Sequence, residues 1–244
     1  MLDRRQVIAY LAAAWTPVEA SPGAPTQVPA LSSAAAGSIV APGWSNRTLA
    51  NVERENDFAI VADVGQHLLR VRSHASSSWW AAALDIDTAR RPMLRWRWRV
   101  SRSLGGSDFR NKQGDDYAAR LYVFFDLPLD RLSLADRVRI QSARLFSDAD
   151  TPAAALCYVW GHAQPVGSTG WNAYTDRLRM VVVDSGDAHA MHWRAVTRDV
   201  ARDWADASGG PLPRISGVAV SADTDNSGDA VEAWFGDISF AEAP

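Results

Sequence analysis

The sequence predicts an all-β protein, a β-sandwich of jelly-roll type with one or two short surface helices. Three observations predict it. Apolar and polar residues alternate in many short runs, the pattern of half-buried strands. Clusters of Gly, Pro, Asp and Ser separate those runs. Helical character is confined to two stretches, so strands must supply the layers that pack on each other. The 244 residues, 47% hydrophobic and 22% charged, suffice for one large domain with a substantial core.

Residues 1–24 read as an export signal, with an ordinary amphipathic N-terminal helix as the alternative. Arg4 and Arg5 precede a short apolar run from Val7 to Trp15, and small residues of the cleavage type follow up to Ala24. Arg-Arg followed by Gln-Val-Ile is similar to a twin-arginine signal, although Asp3 stands where Ser or Thr is usual; a Sec signal is the rival. Residues 1–24 are therefore expected to be removed, which places the mature protein in the periplasm or outside the cell. Residues 25–37, rich in Pro, Ala, Ser and Gly, read as a flexible linker. Residues 38–244 form a single β-sandwich domain, because no repeat and no second linker divides them. No later stretch reaches the roughly 18 apolar residues of a membrane span, so the mature chain has no transmembrane segment by this reading.

Strands follow in series. Asp57–Asp63 and His67–Ser73 form a hairpin-like pair, and Trp79–Asp85 is a further apolar run. The run Leu94–Val100 alternates perfectly: Leu94, Trp96, Trp98 and Val100 point one way, and Arg95, Arg97 and Arg99 point the other. Asp116–Asp126, Ala154–Trp160 and Asp176–Asp184 continue the pattern. Ile215–Ala222 and Ala230–Phe240 close it around an Asp-rich turn. Leu132–Phe146 breaks period two and predicts a short surface helix. Asp199–Ala207 predicts a second, stopped by Gly209-Gly210-Pro211.

Several blocks in order resemble a bacterial family of exported proteins catalogued as a domain of unknown function. They are Leu94–Val100, the run from Gly114 to Val123, Tyr158-Val159-Trp160, Asp223–Asn226 and Trp234–Ile238. The resemblance spans most of residues 44–240. It implies an exported single domain and no particular activity. The closing strand is similar, more loosely, to the last strand of jelly-roll, galactose-binding-like carbohydrate-binding modules; that likeness concerns fold alone.

Composition excludes several classes of function. The formal net charge of -3 does not favour nucleic acid. The single cysteine, Cys157, permits neither an intramolecular disulfide nor a zinc–thiolate cluster. There is no GxSxG, HExxH, P-loop or strand–helix GxGxxG pattern. His189 and His192 lack a metal motif around them.

What remains is basic and aromatic. Arg95, Arg97, Arg99, Arg120, Arg177 and Arg179 each oppose the apolar side of their strand. If those strands are neighbours, the arginines share a face suited to carboxylates or sulfates. On it Asp116 would organise Arg120, Tyr122 would add a polar platform, and Trp160 and Trp171 would stack on sugar rings. A structural Arg–Asp network on a solvated face is the plain alternative. Asp223, Asp225 and Asp229 resemble the start of a calcium loop, but Trp234 holds the position of the closing carboxylate; a self-bonded Asx turn is the alternative. The expected function is a non-catalytic carbohydrate-binding module for an acidic polysaccharide. A polysaccharide lyase or hydrolase on the same face, or a cell-envelope protein that binds another protein, are the competing readings. The catalytic residues of such an enzyme are not identifiable from the sequence.

Overall fold

A computed structural model describes residues 25–48, 52–63, 65–126 and 154–244. The export signal expected over residues 1–24 and the helix expected over Leu132–Phe146 lie outside the described residues. Thirteen strands and one α-helix are described. The strands are β1 (Ser45–Arg47), β2 (Asp57–Asp63), β3 (Gln66–His74), β4 (Ser77–Ile86), β5 (Met93–Val100), β6 (Tyr117–Asp126) and β7 (Ala154–Gly161). They continue with β8 (Thr169–Asn172), β9 (Thr175–Ser185), β10 (Arg194–Asp199), β11 (Arg214–Asp223), β12 (Ala230–Phe235) and β13 (Ser239–Ala241); helix α1 (Val200–Ser208) follows β10.

Two sheets pack face to face, as the alternation predicts. One has seven strands in the order β1-β4-β11-β6-β7-β9-β8. The other has the order β10-β5-β12-β3-β2, with β13 continuing beside β5 as the sixth strand. Pairing is antiparallel except between β7 and β9, which run parallel. The core is made by the inward residues of both sheets. Leu94, Trp96, Trp98 and Val100 of β5 meet Leu121, Val123 and Phe125 of β6 and Tyr158 and Trp160 of β7. Trp96 and Trp98 pack edge to face at 5.4 Å, and Trp98 lies 6.0 Å from Trp160. Large buried rings at such spacings dominate the burial energy.

The expected helix at Asp199–Ala207 forms as α1. The Asp199 side chain accepts a bond from the Arg202 amide, and Gly209 ends the helix at φ 61°, a conformation costly for other residues. Its Trp204 packs on Phe125 at 4.6 Å.

Three expectations are corrected here. Residues 25–37 are not a free linker. Leu31 is fully buried and Val28 and Ala34 join the core, so the apolar residues of this arm find a home on the sandwich. The Asp85 amide donates to the Pro25 carbonyl at 2.9 Å, and Gly37 and Ser38 pair with Ile60 on the edge strand β2. The last predicted strand is two strands, because the chain turns at Gly236, whose amide bonds to the Arg97 carbonyl. Finally, β1, β8 and β10 are strands that carry no alternating signal.

Candidate functional site

The expected arginine face does not exist as one surface. β5 belongs to the six-stranded sheet and β6 to the seven-stranded sheet, so Arg95, Arg97 and Arg99 lie on the opposite side of the sandwich from Arg120. Arg179 lies on neither outer face. It pairs in register with Leu156 of β7, whose side chain is in the inter-sheet core, and so points to that side at the far edge of the seven-stranded sheet. There it stacks on Trp171 at 5.3 Å and donates to Thr169 Oγ1 at 2.7 Å. Trp171 stands on edge strand β8 and is 39% exposed, available as expected but remote from β5. Trp160 is fully buried in the core and donates to the Gly186 carbonyl, so it offers no sugar platform.

The outer face of the six-stranded sheet is the first candidate site. Arg95, Arg97 and Arg99 project from β5, and Arg70 and Arg72 from β3. Trp234 of β12 sits between them, in register with both Arg70 and Arg99. Trp193 adds a second indole from the loop before β10. The Arg99 guanidinium lies 4.4 Å from the Trp234 ring and 4.9 Å from the Trp193 ring; Arg97 lies 4.8 Å from Trp193. Asp63 fixes this stack by bonding Trp193 Nε1 at 3.1 Å and facing Arg99 at 3.5 Å. Arg72 is matched by Glu232 at 2.9 Å and Asp57 at 3.9 Å. Arg95 and Arg97 have no carboxylate partner among the described residues. Their in-register neighbours are small: Thr197 and Ser239 beside Arg95, and Ala195 beside Arg97. Gly236 is required here, since a Cβ at that position would lie 2.7 Å from both Cγ and Nε of Arg97. Sequence reading found the β5 arginines and missed Trp193 and Trp234, because cross-strand register is not written in the chain.

The outer face of the seven-stranded sheet is the second. Its centre is Arg120, only 2% exposed. The guanidinium donates to Asp115 Oδ1 at 3.1 Å, to the Asp115 carbonyl and to Tyr122 Oη at 3.2 Å, faces Asp223 at 3.2 Å, and lies 4.9 Å from the Tyr117 ring. Asn172 donates to the same Asp115 carboxylate. Burial pushes Asp115 and Asp223 above the ordinary carboxylate range, although Arg120 pulls each of them down. Burial also raises the Tyr122 phenol and the Cys157 thiol beside it. Cys157 is thus an inert core thiol.

Asp116 does not organise Arg120. It is turned to the β11–β12 loop, where it accepts from the amides of Asn226 and Ser227 and from Asn226 Nδ2. Asp229 is likewise separate from Asp223 and Asp225: the Ala230 amide and Arg102 bind it and hold its carboxyl below the usual range. The carboxylates that do come together are Asp116, Asp223 and Asp225, with one oxygen of each within 4.8 Å of the others. His162 Nδ1 is 2.7 Å from Ser103 Oγ, but Asp187 bonds the serine and not the imidazole, so the trio is no nucleophile–base–orienter relay.

These features define a two-sheet β-sandwich with a cationic, tryptophan-bearing face on one side and a buried acid–arginine cluster on the other. No helix among the described residues is long and apolar enough to cross a membrane. The chain belongs to the family described as protein of unknown function DUF3047, whose sequence profile matches residues 42–239. Among curated proteins, none matches it. Solved structures similar to it include the xyloglucanase domain of NopAA, a type three effector from Sinorhizobium fredii, at 11% identity and TM-score 0.43, covering 86% of this chain and 97% of that one. The family 30 carbohydrate-binding module of a Clostridium thermocellum cellulosomal cellulase is similar at 12% identity and TM-score 0.36, covering 90% and 95%. Endoglucanase 3 of Trichoderma harzianum, from family GH12, is similar at 9% identity and TM-score 0.42, covering 93% and 100%.

Proposed function

We propose that this is an exported carbohydrate-binding protein that holds an acidic polysaccharide on the outer face of the six-stranded sheet. The observation that carries the reading is the pair Arg95 and Arg97, which stand without a carboxylate partner among the described residues, Arg97 lying beside the Trp193 indole that Asp63 fixes. Five guanidinium groups on this face meet three carboxylates, so the local charge is positive on a chain that is negative overall. Arginine forks match carboxylate and sulfate oxygens in a way that lysine does not. The indoles keep the forks extended and present a flat, partly apolar surface to a sugar chain.

Affinity electrophoresis tests it. The chain is run through gels cast with polyuronate, sulfated or neutral polysaccharide, at low and raised salt. Retardation by an acidic polymer that weakens with salt, and that is lost in the Arg95→Ala/Arg97→Ala double variant, is the expected result. Unchanged migration in every acidic gel, or equal retardation of the double variant, overturns the proposal.

A further inference from the structure

We propose that the outer face of the seven-stranded sheet carries a second binding site, for a neutral sugar, built from Asp115, Tyr117, Arg120 and Asp223 under the turn that bears Phe109.

The first observation is a set of unanswered donors. Tyr117 Oη and Arg120 Nε are buried and have no hydrogen-bond partner among the described residues. They belong to groups already in contact, the guanidinium lying 4.9 Å from the Tyr117 ring. Trp79 Nε1, also buried and without a partner, is on the same face, in register with Arg120 through Ser221. Folded proteins leave few buried polar atoms unpaired, and a local concentration of them marks a place where another molecule supplies the partner.

Charge decides what that molecule is. A single guanidinium here faces two carboxylates, Asp115 at 3.1 Å and Asp223 at 3.2 Å. Asp223 also adjoins Asp116 and Asp225. Carboxyl groups outnumber the guanidinium, so the cluster holds no spare cation for a uronate or sulfate, the opposite of the β5 face. A sugar hydroxyl suits it because it donates and accepts at once. It gives its hydrogen to a carboxylate oxygen and takes one from Tyr117 Oη or Arg120 Nε. The rings of Tyr117, Tyr122 and Trp79 offer flat walls to the C–H faces of a pyranose. Between them the sheet is floored by small side chains, Ala81, Ala219 and Cys157.

The cover is local: a buried aromatic ring on a turn tied down by polar bonds. Phe109 lies against Gly170, where a Cβ would come within 2.2 Å of its ring. The turn around it is held to its neighbours by Gln164 donating to Asp108 at 3.0 Å and by Tyr174 Oη donating to the Lys112 carbonyl at 3.3 Å. Lifting this turn opens the site without moving a strand.

The test is calorimetric titration of the full chain with neutral gluco-, xylo- and manno-oligosaccharides, with an oligouronate as the acidic probe. The decisive variant is Tyr117→Phe. It deletes an oxygen that bonds nothing among the described residues, so its melting temperature is expected to equal or exceed that of the wild type. Its affinity for the neutral oligosaccharide is expected to fall about tenfold. The Arg95→Ala/Arg97→Ala variant is expected to bind the neutral probe as the wild type does, which separates this site from the β5 face. Absence of binding to all neutral probes at millimolar concentration overturns the proposal, as does a Tyr117→Phe variant that binds as tightly as the wild type.

Discussion

Replacing Arg120 by Met tests the buried cluster most directly. Arg120 is 2% exposed and is the only cation among the described residues that pairs with either Asp115 or Asp223, so the methionine fills the space and leaves both acids without a counter-charge. Breaking a buried pair from one side costs roughly 3–5 kcal/mol. For a domain of this size that corresponds to a melting temperature lower by roughly 6–20 °C. The pH dependence follows from the two acids. Burial already lifts both above their ordinary value of 3.8, even with Arg120 pulling them down. An acid whose folded pKa is raised contributes stability that is complete below its unfolded pKa and is lost as pH rises through the folded one. Without Arg120 the folded values rise further, so the loss extends to higher pH. The gap between wild type and Arg120→Met is therefore widest at neutral to alkaline pH and narrows on acidification toward about pH 5. Thermal unfolding followed by circular dichroism over that range measures it. A variant within about 1 kcal/mol of wild type, or a gap that widens as the pH falls, would refute the reasoning.

Three other outcomes are expected. Leu31→Ala lowers stability by about 2–5 kcal/mol, as for any fully buried leucine; denaturant unfolding would show an unchanged midpoint if the arm were a free linker. Gly236→Ala forces Arg97 off its path, since the new Cβ would meet the side chain at 2.7 Å. Retardation in acidic gels should fall, and the melting temperature should stay within a few degrees because Arg97 is only partly buried. Cys157, fully buried and with its thiol pushed up by burial, should resist alkylation in the native chain and react at once in denaturant; rapid native labelling, read by mass spectrometry, would contradict its placement.

Where one side of a strand is apolar and the other polar, the chain disclosed its own structure. β5 is the clearest case, and its arginines do project outward as the alternation requires. β7 is buried on both sides, so nothing in Ala-Ala-Leu-Cys-Tyr-Val-Trp says which residues face the core, and Trp160 was placed wrongly for that reason. β10 was missed because Arg194 and Arg198 point inward and are answered there by Asp184 and Asp203, which inverts the usual pattern. The shared arginine face failed at strand adjacency, a property of the pairing of distant segments that no local signal encodes. The same limit hid Trp234 beside Arg99 and sent Asp116 to the turn at Asn226.

The N-terminal arm touches both sheets, and at Ser32 it is bonded through its amide and hydroxyl to Asp237, near the other end of the described chain. The arm and the segment that follows β12 are thus tied to each other. The bonds to Asp237 join positions 205 apart in sequence, so this contact forms only after β12 has been made. A chain that stops before Asp237 lacks this latch, and the arm is then held by its core and strand-edge contacts alone.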